Sequence, residues 1–103
     1  MISGFQIIRI RGFSMVPIFN DGDYAVSLRV SLTTPVRIGN IVQIMHDEFG
    51  PIVKQIKCLR PGFVLVQGCS SLSIVENQLG WIAASKVSSR LVLRISKQGI
   101  KLL

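Results

Sequence analysis

The chain has 103 residues, 49% of them hydrophobic, which suffices for one packed core but not for two, so a single domain over residues 1–103 is expected. This apolar content excludes an intrinsically disordered chain. Twelve Lys and Arg residues against five Asp and Glu give a net charge of +7, which would suit an anionic partner. The basic residues are scattered and form no recognisable binding motif. A solvated basic face is therefore the better interpretation, and nucleic acid ranks low as a partner.

Turn-forming residues recur at short intervals along the chain and separate short runs that are rich in Ile, Val, Leu and Phe. This pattern is typical of an all-β domain, and no stretch has the period of a long amphipathic helix. The predicted strands cover residues 5–11, 24–30, 41–46, 52–59, 63–67 and 88–95, with a further short strand at 81–83. A capping-box pattern from Ser73 to Glu76 predicts one short helix.

No segment is predicted to cross a membrane. The longest run without a charged residue covers residues 61–75, and Pro, Gly and Ser interrupt it. A spanning helix needs about 20 mostly apolar residues. The first ten residues include Arg9 and lack the apolar run of a secretory signal peptide. A cytoplasmic location is expected, with membrane association only through a partner.

Cysteine and histidine are scarce. The two cysteines form no CxxC pair, and His46 is the one histidine, so no metal or other cofactor is expected. A Ser-His-Asp triad would have to use His46. That residue lies beside Asp47 and Glu48 in a predicted turn and is interpreted as a surface residue.

One stretch, residues 12–23, holds a serine in a rigid apolar frame. Ser14 lies between two bulky apolar residues, and Pro17 fixes its own φ and restricts the residue before it. The stretch could be an ordinary loop. It could also hold a nucleophile, in which case a neighbouring base must take the proton of the hydroxyl.

Strand alternation supplies a candidate base. In residues 52–57, Ile52, Lys54 and Ile56 share one face, whereas Lys57 lies on the other face with the more polar set. A lysine between two isoleucines is costly unless it is paired or neutral, and a neutral lysine can act as a base. Alternatively, the Lys54 side chain extends past the isoleucines into water. The strand pattern alone leaves the two interpretations even.

Several segments resemble one family. Residues 12–17, followed by Asp21-Gly22-Asp23, resemble the Ser-Met-x-Pro…Gly-Asp box of the signal-peptidase and LexA-like serine peptidases. Residues 39–42 are similar to the family's Gly-Asp-Ile-Val segment, residues 52–56 to the strand with its catalytic lysine, and residues 68–82 to its later box. These segments follow one another in the family's order, and the resemblance spans nearly the whole chain from Gly12 to Ile95.

The resemblance implies a mostly β, barrel-like or sandwich-like fold of the LexA/signal-peptidase type, and a peptidase with a Ser/Lys dyad. Ser14 would attack the scissile carbonyl, and neutral Lys54 would take its proton and pass it to the leaving amine. The backbone N–H of Ser14, with Gly12 nearby, would stabilise the oxyanion. Met15 and Pro17 would contact substrate, although Met15 considered alone is better interpreted as core.

Ser73 matches the position of a second serine that hydrogen-bonds the lysine in signal peptidases. It fits the N-cap of the predicted short helix equally well. The family's Ser-x-Asp-Ser-Arg run is Ser-Ile-Val-Glu-Asn in residues 73–77, so the aspartate and arginine that usually brace that loop are missing.

Three functions are therefore in competition. The leading one is a small endopeptidase that cleaves a specific protein in trans, binding it as an extended strand on an open sheet edge, with small apolar residues before the scissile bond. The second is a degenerate peptidase-fold domain for dimerisation or peptide binding, as in phage-type repressors, and the high apolar content would suit a homodimer. The third, a basic barrel that binds single-stranded nucleic acid by stacking, ranks last because aromatic residues are few.

Overall fold

The computed structural model describes residues 4–12, 14–31, 35–68 and 79–103, and these form an all-β structure. The strands are β1 (Phe5–Arg9), β2 (Tyr24–Arg29), β3 (Ile41–His46), β4 (Gly50–Arg60), β5 (Phe63–Gln67), β6 (Trp81–Ala83), β7 (Val87–Ser96) and β8 (Gly99–Leu102). A short 3-10 turn, Ala84–Lys86, leads from β6 into β7. In these parts of the chain, no helix has the length and apolarity needed to cross a membrane.

All eight strands belong to one antiparallel sheet with the order β1-β2-β7-β3-β4-β5-β6. β7 lies at the centre. It pairs with β2 along one side, and on the other side it pairs first with β3 and then with β8. The expected all-β class is confirmed. The described strands do not close into a barrel, because β1 and β6, at the two ends of this order, do not pair with each other.

The predicted strands agree with the observed ones to within one residue at each end, with three larger differences. β1 ends at Arg9 rather than at residue 11, and β4 is longer than predicted because it begins at Gly50 directly after a tight turn. β8 was not predicted: Ile100 and Leu102 alternate with Lys101 over only four residues, and in the structure every residue of Gly99–Leu102 is exposed. The short helix expected from Ser73 lies outside the described residues.

Buried apolar side chains form two core clusters. The first consists of Ile8, Ile10, Met15, Phe19, Ala25, Ile41 and Leu91. The second consists of Val42, Ile44, Ile56, Val64, Val66, Ile82 and Val87. The second cluster consists entirely of β-branched residues, as expected for side chains that pack on a pleated surface, whereas the first also contains Met, Phe, Ala and Leu. On β4, Val53 packs against the first cluster and Ile52 against the second, so the strand contributes side chains to both.

Candidate active site

The loop that carries Ser14 joins β1 to β2 and is closed at its base by backbone hydrogen bonds. The N–H of Ile10 donates to the carbonyl of Asp23 at 2.7 Å, and the N–H of Gly22 donates to the carbonyl of Ile10 at 2.8 Å. Higher in the loop, the N–H of Gly12 donates to Oδ1 of Asp21 at 2.7 Å. Gly12 has φ +83°, a conformation that glycine adopts without strain. The ends of the loop are therefore held together.

Two apolar side chains anchor the same loop in the first core cluster. Met15 is 2% exposed and Phe19 is fully buried, and the N–H of Phe19 donates to the carbonyl of Met15 at 2.8 Å. Ser14, directly before Met15, is half-buried. Pro17 follows a cis peptide bond and is exposed. The core interpretation of Met15 is confirmed, and the buried pair holds Ser14 at the edge of the core.

Lys54 is buried on β4. It lies opposite Val42 of β3 and is 8% exposed, whereas Lys57, three residues further along, is exposed. The adjacent same-face residue Ile56 is also buried. Of the two interpretations that the strand pattern left open, the structure therefore shows the buried lysine rather than the lysine that extends into water.

Ser14 and Lys54 line the same cleft, which has a volume of about 460 Å³. One wall comes from residues 8–11, at the end of β1, and from Ser14 and Met15. The opposite wall comes from residues 51–54 of β4, with Gln43 of β3. Within the structure, neither Ser14 nor Lys54 is without an interaction partner. A hydroxyl and a buried amine in one cleft are the two groups that a Ser/Lys peptidase requires.

Two strand segments that border the cleft have an open edge. β4 pairs with β5 only from Gln55 onward, so residues 50–54 have no partner on that side among the described strands. β1 pairs with β2 alone in the same set. Unpaired strand edges present backbone N–H and C=O groups that can hydrogen-bond an extended peptide.

Other candidate residues lie away from the cleft or outside the described chain. Gly12 is not among the lining residues, and its N–H already donates to Asp21. Pro17 does not line the cleft either. Ser73 lies outside the described residues. No group of three or more His, Cys, Asp or Glu side chains in the described ranges is arranged to hold a metal ion.

His46 stabilises the turn between β3 and β4. Its Nδ1 accepts hydrogen bonds from the backbone N–H groups of Glu48 and Phe49 at 3.1 and 3.2 Å, and its ring stacks on Phe49. His46 is the last residue of β3, directly before the turn, and its side chain is half-buried, so the expected surface position in the turn is wrong. In the pair of β3 and β4, Val42 lies opposite Lys54, and His46 lies opposite Gly50. His46 is four residues beyond Val42 on β3, a distance of about 13 Å at the rise of a strand. His46 therefore lies well along the strand from Lys54.

Three polar residues that line the cleft were not predicted as site residues, namely Arg9, Arg11 and Gln43. The alternation of residues 8–11 contains a signal for the two arginines, since Ile8 and Ile10 point to the core and Arg9 and Arg11 point away. Their position beside Ser14 and Lys54 depends on the sheet order and could not be derived from that alternation.

No protein-family model matches the chain, and no curated protein sequence gives a significant match.

Proposed function

We propose that this chain is a serine endopeptidase that uses Ser14 and Lys54 to cleave a specific protein or peptide in trans. The observation that carries the proposal is that a buried lysine and a serine line the same cleft. The sequence resemblance to the signal-peptidase and LexA-like peptidases supports it independently. We also propose that the sheet is of the LexA/signal-peptidase type and that the chain is cytoplasmic.

In the proposed reaction, the neutral amine of Lys54 accepts the proton of Ser14 as Oγ attacks the scissile carbonyl carbon. The C–N bond of the tetrahedral intermediate then breaks, and Lys54 passes the proton to the leaving amine. This leaves an ester between Ser14 and the acyl half of the substrate. Water attacks the ester by the same route, with Lys54 taking one of its protons, and Ser14 is regenerated.

The oxyanion is assigned to the backbone N–H of Ser14. The N–H of Gly12 donates to the Asp21 carboxylate, so the contribution of Gly12 in this proposal is to hold the loop rather than to bind the oxyanion directly. Ser73 remains a proposed hydrogen-bond partner of Lys54, on the basis of the sequence resemblance alone.

The substrate is proposed to bind as an extended strand between the open edges of β1 and residues 50–54. Met15 lines the cleft and would contact substrate close to the scissile bond. Pro17 is exposed outside the cleft and would meet only substrate residues that extend beyond it. The sequence resemblance suggests small apolar residues before the scissile bond.

The proposal is tested by incubating the purified chain with a peptide library and identifying the products by mass spectrometry. Cleavage is expected from the wild type and from Ser85→Ala, which alters an exposed serine in the 3-10 turn. Ser14→Ala should give none. A β-lactone acylating probe should add its mass to the peptide that contains Ser14. Cleavage that persists in Ser14→Ala would rule out the proposed nucleophile.

The alternative is a catalytically inactive domain that dimerises or binds peptides. One observation favours it: β8 is an edge strand that exposes large apolar side chains, with Ile100 71% and Leu102 77% exposed. Such an edge suits pairing with a second chain. Sedimentation of the wild type and Leu102→Lys would detect this association. A dimer that Leu102→Lys disrupts, in a chain that never cleaves the library, would favour the alternative.

A further inference from the structure

The cleft that contains Ser14 and Lys54 is lined by positive charge. Arg9 and Arg11 line it beside Lys54, whose amine is neutral in the proposed reaction, and no Asp or Glu is among its described lining residues. The chain has a net charge of +7, but a cleft with two guanidinium groups and no carboxylate is a local arrangement that this total does not explain.

Arg9 and Arg11 point to the same side of an extended segment. Ile8 and Ile10 are buried in the first core cluster, and the two arginines alternate with them and are exposed. The hydrogen bond from the N–H of Ile10 to the carbonyl of Asp23 continues the strand pairing past the end of β1. Residues two apart on an extended chain are separated by about 6.6–6.8 Å, which is also the spacing of alternate residues on a bound strand.

Neither of these two guanidinium groups forms an ion pair or a hydrogen bond with another described residue. By contrast, Arg94 donates to the carbonyl of Ile18, and Arg60 lies over the rings of two aromatic residues.

One oxygen of each of the two carboxylates at the base of the loop already accepts a backbone hydrogen bond. Oδ1 of Asp21 accepts the N–H of Gly12, and Oδ2 of Asp23 accepts the N–H of Asn20. Arg9 also borders a second cleft with Asp21 and Asp23, but it forms no ion pair with either carboxylate, and no described acidic residue lines the cleft of the proposed dyad.

Resting on the proposed peptidase function, we infer that the substrate is an acidic peptide, with carboxylate side chains at alternate positions facing Arg9 and Arg11. A guanidinium group binds a carboxylate through two parallel hydrogen bonds, which gives both affinity and geometric selectivity. Arg11 and Ser14 are three residues apart, so their Cα atoms are at most about 11 Å apart. The acidic residues therefore lie within about three or four residues of the scissile bond.

A peptide accounts for the cleft better than a nucleic acid does. The cleft is bordered by open strand edges, which pair with an extended peptide backbone. Its described lining residues include no aromatic side chain, whereas proteins that bind single-stranded nucleic acid stack bases on aromatic rings.

The test measures binding separately from cleavage, in the Ser14→Ala variant. Two fluorescein-labelled peptide sets are compared by anisotropy, one with Glu at alternate positions on either side of an Ala-Ala bond and one with Gln at the same positions. The best Glu peptide is expected to bind at least about ten-fold more tightly than its Gln counterpart.

Charge-matched variants test the two arginines in the same background. Arg9→Gln and Arg11→Gln should each remove most of the preference for Glu. Arg37→Gln makes the same change in net charge at an exposed arginine outside the cleft and should leave the preference unchanged. Thermal unfolding of each variant confirms that it is folded. Equal binding of the Glu and Gln peptides, an equal loss in Arg37→Gln, or equally strong competition by oligothymidylate would each overturn the inference.

Cleavage by the wild-type chain separates this inference from the proposed function. If it cleaves Glu and Gln peptides at equal rates, the peptidase proposal stands and the acidic preference is wrong. If Ser14→Ala binds Glu peptides through Arg9 and Arg11 but the wild type cleaves neither set, the cleft is an acidic-peptide site and the peptidase proposal fails.

Discussion

The backbone N–H of Gly12 donates a 2.7 Å hydrogen bond to Oδ1 of Asp21, nine residues further along the chain. This bond joins the start of the Ser14 loop to its end. Below it, the N–H of Gly22 donates to the carbonyl of Ile10. Because Met15 and Phe19 hold the middle of the loop in the core, the loop is fixed at its base and at its centre. The hydrogen bonds at the base and the two buried side chains together determine where Ser14 lies relative to β4.

Asp21→Ala should therefore reduce the reactivity of Ser14 more than it reduces stability. The variant loses one hydrogen bond to an exposed carboxylate, which is expected to lower the free energy of unfolding by about 0.5–1.5 kcal/mol. The rate at which an acylating probe labels Ser14 should fall further, because the loop is no longer closed. Asp21→Asn keeps an oxygen acceptor and should recover most of this rate, and Asp47→Ala is the control for loss of an exposed carboxylate. Equal labelling rates in all four chains would contradict the assigned role.

Lys54→Met should abolish cleavage without unfolding the chain. General base catalysis contributes about 10²–10⁴-fold to rate, and methionine cannot accept a proton. Because Lys54 has an interaction partner, loss of its amine leaves that partner unsatisfied and is expected to lower the free energy of unfolding by about 1–3 kcal/mol, which a folded chain can tolerate. Lys57→Met, on the exposed face of the same strand, should cleave at the wild-type rate. An active Lys54→Met variant would exclude Lys54 as the base.

Phe19→Ala should be among the most destabilising single substitutions in the chain. Phe19 is fully buried in the first core cluster, and truncation of a buried phenylalanine to alanine typically costs about 3–5 kcal/mol. Phe49→Ala removes the same side chain from the β3–β4 turn, where it is half exposed and stacks on His46, and should cost less than about 1.5 kcal/mol. Urea unfolding of both variants measures the two losses of stability. A loss for Phe19→Ala as small as that for Phe49→Ala would show that the loop is not part of the core.

The ion pair between Asp47 and Lys86 should make a small, pH-dependent contribution to stability. Nζ of Lys86 lies 2.6 Å from Oδ1 of Asp47, and this hydrogen bond, together with the positive charge, lowers the pKa of the Asp47 carboxyl from its ordinary value. A carboxyl whose pKa is lower in the folded state stabilises the fold above the unfolded-state pKa, and this contribution is lost as the pH falls through the folded-state pKa.

Thermal unfolding of the wild type and Lys86→Gln across the acid range tests this ion pair. The wild type should be slightly more stable at neutral pH, and the difference should vanish once Asp47 is protonated. Both side chains are exposed, so added salt should also shrink the difference. A difference that grows toward acid pH would contradict the assigned sign.

Local alternation predicted most of the sheet and placed Lys54 and Lys57 on opposite faces, but it left the burial of Lys54 undecided. The two lysines are three residues apart, and their opposite burial in the structure follows from the two-residue period of a strand. Alternation over the four residues of β8 did not identify that strand, whose residues are all exposed. It also could not place Arg9 and Arg11 beside Lys54, because the end of β1 and the start of β4 come together through a sheet order that differs from the chain order. The catalytic roles of Ser14 and Lys54 stay predictions.

The central position of β7 has a consequence for how the chain folds. On one side of β7 are β1 and β2, on the other are β3 to β6, and within the described sheet the two groups are joined only through β7. Pairs such as Ser27 with Leu91 are far apart in the chain, and such contacts form slowly. During synthesis, the Ser14 loop and the Lys54 strand have no common sheet until β7 has left the ribosome. A nascent chain therefore carries both groups of the proposed dyad well before it can bring them together.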